Sequence, residues 1–411
     1  MKKIAAIICV FSFLLFCEKG ISKTKIIDLQ QAIDLAMTNS PSIKSKLYGV
    51  GMKEHQLDAK KTSWYPTLSG NYGKDMHYKE HDGSITISQP IWSFNKISAD
   101  INYSKNEVNL AKLNLEKEKN KILDKTLEYY ISIVGLQQQI SVINESIAID
   151  EKLVSRIKRR YQGQLASKAD VILSSSRLAQ VKADKQKALG KLRTSILNLE
   201  SLTNTEIESV VNLKYENIVL PADGAIHSLV LSNNTDLLYA KGQISESKRD
   251  SDRVKVSMMP TIYLQVTHTY SERSSYANET QYGLYVKANL DGFGFLAKNN
   301  IEAAQSAINS AMSNFDYVRL DVEDKYKSYI ANRDVEKNIA VTQKDLIIEL
   351  NKTFDSYERL YNKGRKSWLD ILNIAKEISQ EKLKLINANN SVLSYKAKLS
   401  ILYNNISIQQ N

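Results

Sequence analysis

Few residues of this chain are spaced so that they could do chemistry. The stretch "DMHYKEHD", Asp75 to Asp82, places His77 and His81 among carboxylates. Imidazoles interleaved with acids are a possible metal set. The segment falls at the outward tip of a hairpin, where a solvated polar loop accounts for it, and no metal is assigned. His55, His227 and His268 stand apart, without a nucleophile and base in one motif. No phosphate-binding glycine loop occurs, so any energy source must lie in a partner. The chain reads as a non-enzyme with no cofactor. What does recur is a turn. "YNKGRKSWLDIL" (Tyr361 to Leu372) echoes "YQGQLASKADVI", pairing Arg159/Arg359, Tyr161/Tyr361, Ser167/Ser367 and Asp170/Asp370 at a constant offset of 200. A phenol, basic side chains and carboxylates sit together at each copy. Ser167 and Ser367 suit helix N-caps, with Asp170 and Asp370 in the first helical turn.

Long helices must carry those turns. The chain has 411 residues with only 5 prolines and 15 glycines, so long uninterrupted helices are permitted. From Asn95 to Tyr161 there is no proline, and Gly135 is the only glycine. Ile101, Val108, Leu115, Ile122, Tyr129, Leu136 and Ile143 keep seven-residue spacing, and Ile301, Ile308, Phe315, Val322 and Tyr329 repeat it. Such a register favours left-handed supercoiling with a partner helix. A helix of 67 residues is about 100 Å long. Shorter helices over 41–65 and 168–203 nearly sum to that length, as do 235–259 and 368–404 against 299–361. Two short helices stacked end to end beside one long helix are therefore expected, with the echoed turn at the far tip.

Two strand pairs are expected after Pro66 and Pro260. Ile262, Leu264 and Val266 alternate with Tyr263, Gln265 and Thr267, and Tyr282, Leu284, Val286, Ala288 and Leu290 alternate with more polar neighbours. "TLSGNYGK" and "SITISQPIW" form the first pair, with a turn expected at Asp82-Gly83. Their ~9–11 residues suit tilted strands crossing a membrane. Four strands with open edges cannot sit in lipid, because edge N–H and C=O groups would lack partners. The strands must therefore join a shared barrel. Tyr65, Tyr270 and Tyr282 suit an interfacial aromatic girdle.

The N-terminus, Lys2 and Lys3 followed by an apolar run from Ile4 to Phe16, reads as a signal peptide over 1–22. Cys9 and Cys17 both lie there. Cys17 is alternatively an acylated lipoprotein cysteine, although Phe16 is a poor residue before one. Residues 23–220 and 221–411 then form two repeats, each a helix, a β-hairpin and a long helical hairpin. The net charge of +11 is scattered among acids, so no nucleic-acid stripe is formed.

The doubled order of "TNSPSIK…YPTLSG", strand pair, long helix, "Y-x-x-G-x-x-S-x-x-D" turn and return helix resembles the TolC-like outer membrane factors. The likeness runs from about Leu29 to Asn404. It implies a mainly α chain with a small β part. In the assembly, a homotrimer builds a 12-stranded β-barrel continued by an α-helical barrel. It further implies an outer membrane location with the helical part in the periplasm. The function implied is the exit duct of a tripartite efflux pump or type I secretion system. Its partners would be outer membrane lipid, a periplasmic adaptor (membrane fusion) protein and an inner membrane transporter of RND or ABC type. Carried over by motif, Asp170, Tyr361 and Lys366 would form a gate latch between the two hairpins. Asp370 would line the entrance constriction, with Asn373 where the family has a second acid. Gly163 precedes the expected turn position, which Gln164 occupies, and "NLDGFGF" lacks the proline of "SQPIW". The alternative from a different class is a secreted or periplasmic coiled-coil, adhesin-like structural protein whose strands form a soluble cap.

Overall fold

The computed structural model describes residues 25–74, 81–213, 217–271, 278–288, 295–405 and 407–408. The expected signal peptide with Cys9 and Cys17, and His77, Leu290 and most of "NLDGFGF", lie outside them. In chain order the elements open with β1 (Lys25–Ile27), α1 (Leu29–Asn39) and α2 (Pro41–Lys61). The hairpin β2 (Thr67–Lys74) and β3 (His81–Trp92) leads into α3 (Lys96–Gln162) and α4 (Lys168–Thr203). There follow β4 (Ile207–Val210), β5 (Ile218–Val219), α5 (Asp223–Asn233) and α6 (Thr235–Val256). The hairpin β6 (Thr261–Ser271) and β7 (Glu279–Lys287) precedes α7 (Phe295–Asn362), α8 (Trp368–Leu402) and β8 (Ser407–Ile408). α3 has 67 residues and α7 has 68, while α4 and α8 have 36 and 35. α7 starts four residues before the expected Asn299, because nothing in "FLAK" breaks a helix.

Contacts divide the chain into two compact units. The first holds Met1–Asn39, Lys125–Tyr215 and Lys337–Ser394. Here β1 runs parallel to β4. Tyr130, 1 % exposed, donates its hydroxyl to the Val211 carbonyl at 2.9 Å, with the Ile27 carbonyl at 3.3 Å. Burial pushes this phenol well above its ordinary pKa, with the Asp28 carboxylate adding to the effect. At the other side of this unit a dry cluster joins Leu153 and Ile157 of α3 to Trp368, Ile371, Leu372 and Ala375 of α8. Leu136 and Ile143 of the seven-residue series are buried, as the spacing requires.

The second unit holds Ser40–Asp124, Glu216–Glu336 and Tyr395–Asn411. Its short helices start where sequence punctuates them. Ser40 caps α2, with Pro41 at the first helical position where its missing N–H costs nothing. Asn234 caps α6 by accepting from Asp236 and Leu237 N–H and donates to the Leu402 carbonyl at 2.9 Å. α2 lies along α3 through Lys53–Glu107 and Lys112–Glu54. α6 approaches α3 at Gly242, where a Cβ would stand 2.7 Å from a Leu110 methyl carbon.

The same unit contains one four-stranded antiparallel sheet, ordered β2-β3-β6-β7. Its register sorts the side chains by face. Leu68, Ile87, Val266 and Tyr282 stand in one cross-strand row, with Leu264 beside Leu284 and Ile262 beside Val286. These residues are largely exposed, Tyr282 at 81 % and Leu284 at 71 %. The opposite face presents Ser69, Asn71, Ser84, Thr86, Gln265, Thr267 and Gln281, and Thr86 shares a hydrogen bond with Thr267 at 3.1 Å. One expectation is corrected: Asp82 and Gly83 are not the hairpin turn. They lie within β3, paired with Gly73 and Tyr72. The connection is 75–80, outside the described residues. His81, at the start of β3, stacks on Tyr72 and meets its hydroxyl through Nδ1 at 2.9 Å.

Candidate functional site at the two helical turns

Both echoed turns belong to the first unit, and they share one backbone. Leu165 N–H bonds the Arg160 carbonyl at 2.7 Å, and Arg365 N–H bonds the Leu360 carbonyl at 2.9 Å. Each helix end is thus closed by a six-to-one bond that requires a left-handed residue just inside it. Gly364 supplies it with φ +73°, and Gln164 takes the same role at φ +60°. The departure seen in the sequence therefore leaves the turn intact, at the strain of a side chain in the left-handed region.

The return helices start identically. Ser167 Oγ accepts from Asp170 N–H, while the Asp170 carboxylate accepts from Ser167 N–H at 3.3 Å and Oγ–H at 2.8 Å. Ser367 and Asp370 repeat the arrangement. The Ser367 N–H and hydroxyl, with Lys366 adding a smaller field, hold the Asp370 carboxyl below its ordinary pKa. These are capping boxes with Asp in place of Glu.

Each candidate latch residue thus has a place. The Tyr361 ring packs on Trp368, centroids 5.2 Å apart, and the Arg160 guanidinium lies 4.6 Å over it. Burial pushes the Tyr361 phenol up; Arg160 opposes this and the Asp170 charge adds to it. Tyr361 and Asp170 therefore feel each other's field within one chain, although the carboxylate is engaged by Ser167. Lys366 stands 4.0 Å from Asp370 and 4.2 Å from the Tyr357 ring centroid, on its own hairpin. Asn373 lines a groove of about 510 Å³ with Leu173, Arg177, Leu369, Leu372 and Lys376.

Sequence reading missed the strongest polar feature here. Arg177 of α4 grips Asp150 of α3 through Nε, at 3.0 and 3.1 Å to the two carboxylate oxygens. Through Nη1 it also donates to the Leu372 carbonyl of α8. The Asp150 side chain is 2 % exposed and that of Arg177 14 %. Burial raises the Asp150 pKa, and Arg177 partly offsets the rise. Close by, Trp368 Nε1–H donates to Ser174 Oγ at 2.6 Å, and Ser174 in turn donates to the Asp170 carbonyl at 2.7 Å. A lone Arg or Asp on a heptad helix carries no signal of this kind in the sequence.

Comparison with known proteins places this architecture in a class. Residues 32–205 match the model of the outer membrane efflux protein family. The chain is similar over nearly its whole length to a solved CusC structure described in terms of transmembrane channel formation. That match has a TM-score of 0.82 and 12 % identity, covering 93 % of this chain and 94 % of the other. The Vibrio cholerae outer membrane protein VceC matches with a TM-score of 0.79 and 13 % identity, over 92 % and 96 %. The Campylobacter jejuni CmeC outer membrane channel matches with a TM-score of 0.76 and 12 % identity, over 93 % and 87 %. No curated protein sequence matches. The TolC-like resemblance read from the doubled motif therefore holds: this is a mainly helical chain with the fold of the outer membrane factors. An adhesin-like rod is not favoured.

Proposed function

We propose that the chain is the outer membrane exit duct of a tripartite efflux pump or type I secretion system, a passive pore gated at its helical turns. The observation that carries this reading is the sheet. One face is apolar and exposed, the other hydroxyl- and amide-bearing, and β2 and β7 each leave an edge unpaired among the described residues. A lipid-facing band backed by a polar lumen is the pattern of a membrane barrel. Unpaired edges in hydrocarbon cost several kcal/mol per group, so copies of the chain must close the ring. Three chains of four strands supply twelve, the number the family resemblance implies. Matched lengths of α3 with α7 and α4 with α8 support two tandem repeats, 23–220 and 221–411, which make the helical ring nearly six-fold. No described helix is long and apolar enough to cross a membrane, so the strands carry the membrane contact. Residues 1–22 direct export as a signal peptide.

The turns meet the periplasmic adaptor, and an RND or ABC transporter in the inner membrane supplies the energy. Asp170, Tyr361 and Lys366 form the gate latch between the two hairpins, and Asp370 with Asn373 lines the entrance. Purified protein should need detergent for extraction and insert into planar bilayers as discrete conducting steps. A protein that stays soluble without detergent and never conducts would overturn the reading.

A further inference from the structure

The charge at the two turns bears on what such a duct would admit. The net charge of +11 is spread along the chain, yet its surplus is densest here. Residues 156–170 hold five Lys and Arg against one acid, Asp170, and residues 356–370 hold four against Glu358 and Asp370. Each of these acids is already engaged. Asp170 and Asp370 close their capping boxes, and Glu358 meets Arg156 at 2.6 Å. Arg160 lies over the Tyr361 ring and Lys366 over that of Tyr357. Lys158, Arg159, Lys168, Arg359, Lys363 and Arg365 are left, all exposed and, among the described residues, none in an ion pair.

The two turns act on solution as one patch. Arg160 of the first stands 4.6 Å from the Tyr361 ring centre of the second, well inside the screening length of ~8 Å at physiological salt. Asn373, where the family resemblance would put a second acid, takes one carboxylate away from the entrance, while the turns around it carry unpaired cations. Rings of Lys and Arg favour anions in a pore, as rings of Asp and Glu favour cations. Potentials over such patches reach several kT, and one kT at the mouth already enriches chloride over potassium about sevenfold. We propose that the turns make the entrance anion-selective, so that anionic solutes are the class it admits most readily. The inference rests on the duct reading above and adds the charge of what passes.

Reversal potentials of the full-length protein in planar bilayers test it, with a KCl gradient kept at or below about 0.1 M so that screening is weak. Chloride should permeate at least about threefold better than potassium. Near 1 M salt the screening length shrinks to about 3 Å, and the ratio should fall toward one. K158E/R159E/K363E/R365E leaves the caps and the apolar cluster untouched and should turn the preference to potassium. Parent channels that prefer potassium, a ratio indifferent to salt, or variant channels with the parent's ratio would overturn the proposal. Should the variant fail to fold, the parent's ratio and its salt dependence decide alone. A parent that never conducts defeats the duct reading itself, an outcome distinct from a channel of the wrong selectivity.

Discussion

Replacing Arg177 by Met should loosen the region behind the turns far more than an ordinary surface change. Among the described residues the guanidinium is the cation paired with Asp150, whose side chain is 2 % exposed. Removing one member of a buried pair typically costs about 3–5 kcal/mol, because the other charge is left in a poorly polar site. At ~1.4 kcal/mol per tenfold change, that is between about two and three and a half powers of ten in local opening. The Leu372 carbonyl loses an extra donor but keeps its place in the α8 ladder, so the deficit centres on Asp150. Its pKa, already raised by burial, should rise further. Hydrogen exchange of detergent-solubilised protein reads this directly. Amides of α3 around 150–157 and of α8 around 371–375 should exchange at least a hundredfold faster in R177M. Replacing both partners by apolar groups is often neutral, so D150L/R177M should recover most of the protection. Exchange in R177M within threefold of the parent would refute the reasoning. So would a double variant no better than the single one.

Other consequences are local. Gln164→Gly should stabilise the first turn by about 0.5–1 kcal/mol, the relief of left-handed strain less the entropy a glycine adds to the unfolded chain. Thermal melting followed by exchange at 160–165 would show it. Asp370 has a folded pKa below its ordinary value, so its contribution is full above that value and is lost as pH falls through the lowered one. The first turn of α8 should therefore fray in acid, and S367A, which removes the hydroxyl but keeps the backbone N–H, should weaken that pH dependence while costing about 0.5–2 kcal/mol as a lost cap. Y361F with D170A should raise the open fraction of single channels. Two contacts worth ~0–1 kcal/mol each allow up to about thirtyfold, and unchanged conductance would remove the latch.

Much of this was written in the sequence, for physical reasons. The scarcity of proline and glycine and the seven-residue columns announced α3 and α7, since nothing competes with a helix there. Alternation over Ile262–Thr267 gave a strand because a sheet with two unlike faces needs period two. Ser167 and Ser367 were legible as caps because capping is local. What was hidden was non-local. Asp82-Gly83 has the composition of a turn, yet cross-strand pairing with Gly73 and Tyr72 absorbed it into β3. Asn39, Ser40 and Pro41 punctuate the break between α1 and α2, and the helix expected from residue 41 starts there. Arg177 and Asp150 lie on different helices, and only the packing of α3, α4 and α8 reveals why they pair. Tyr361 stood out in the sequence by its echo of Tyr161, but its stacking on Trp368 follows from how the second turn closes around Gly364.

The proposed duct depends on the closure of the open four-stranded sheet by further copies of the chain. The molar mass of the detergent-purified protein, measured by light scattering with the detergent contribution subtracted, tests that most directly. Three chains per particle, persisting until heated, is the expected result; a single chain that stays monodisperse in buffer without detergent would contradict it.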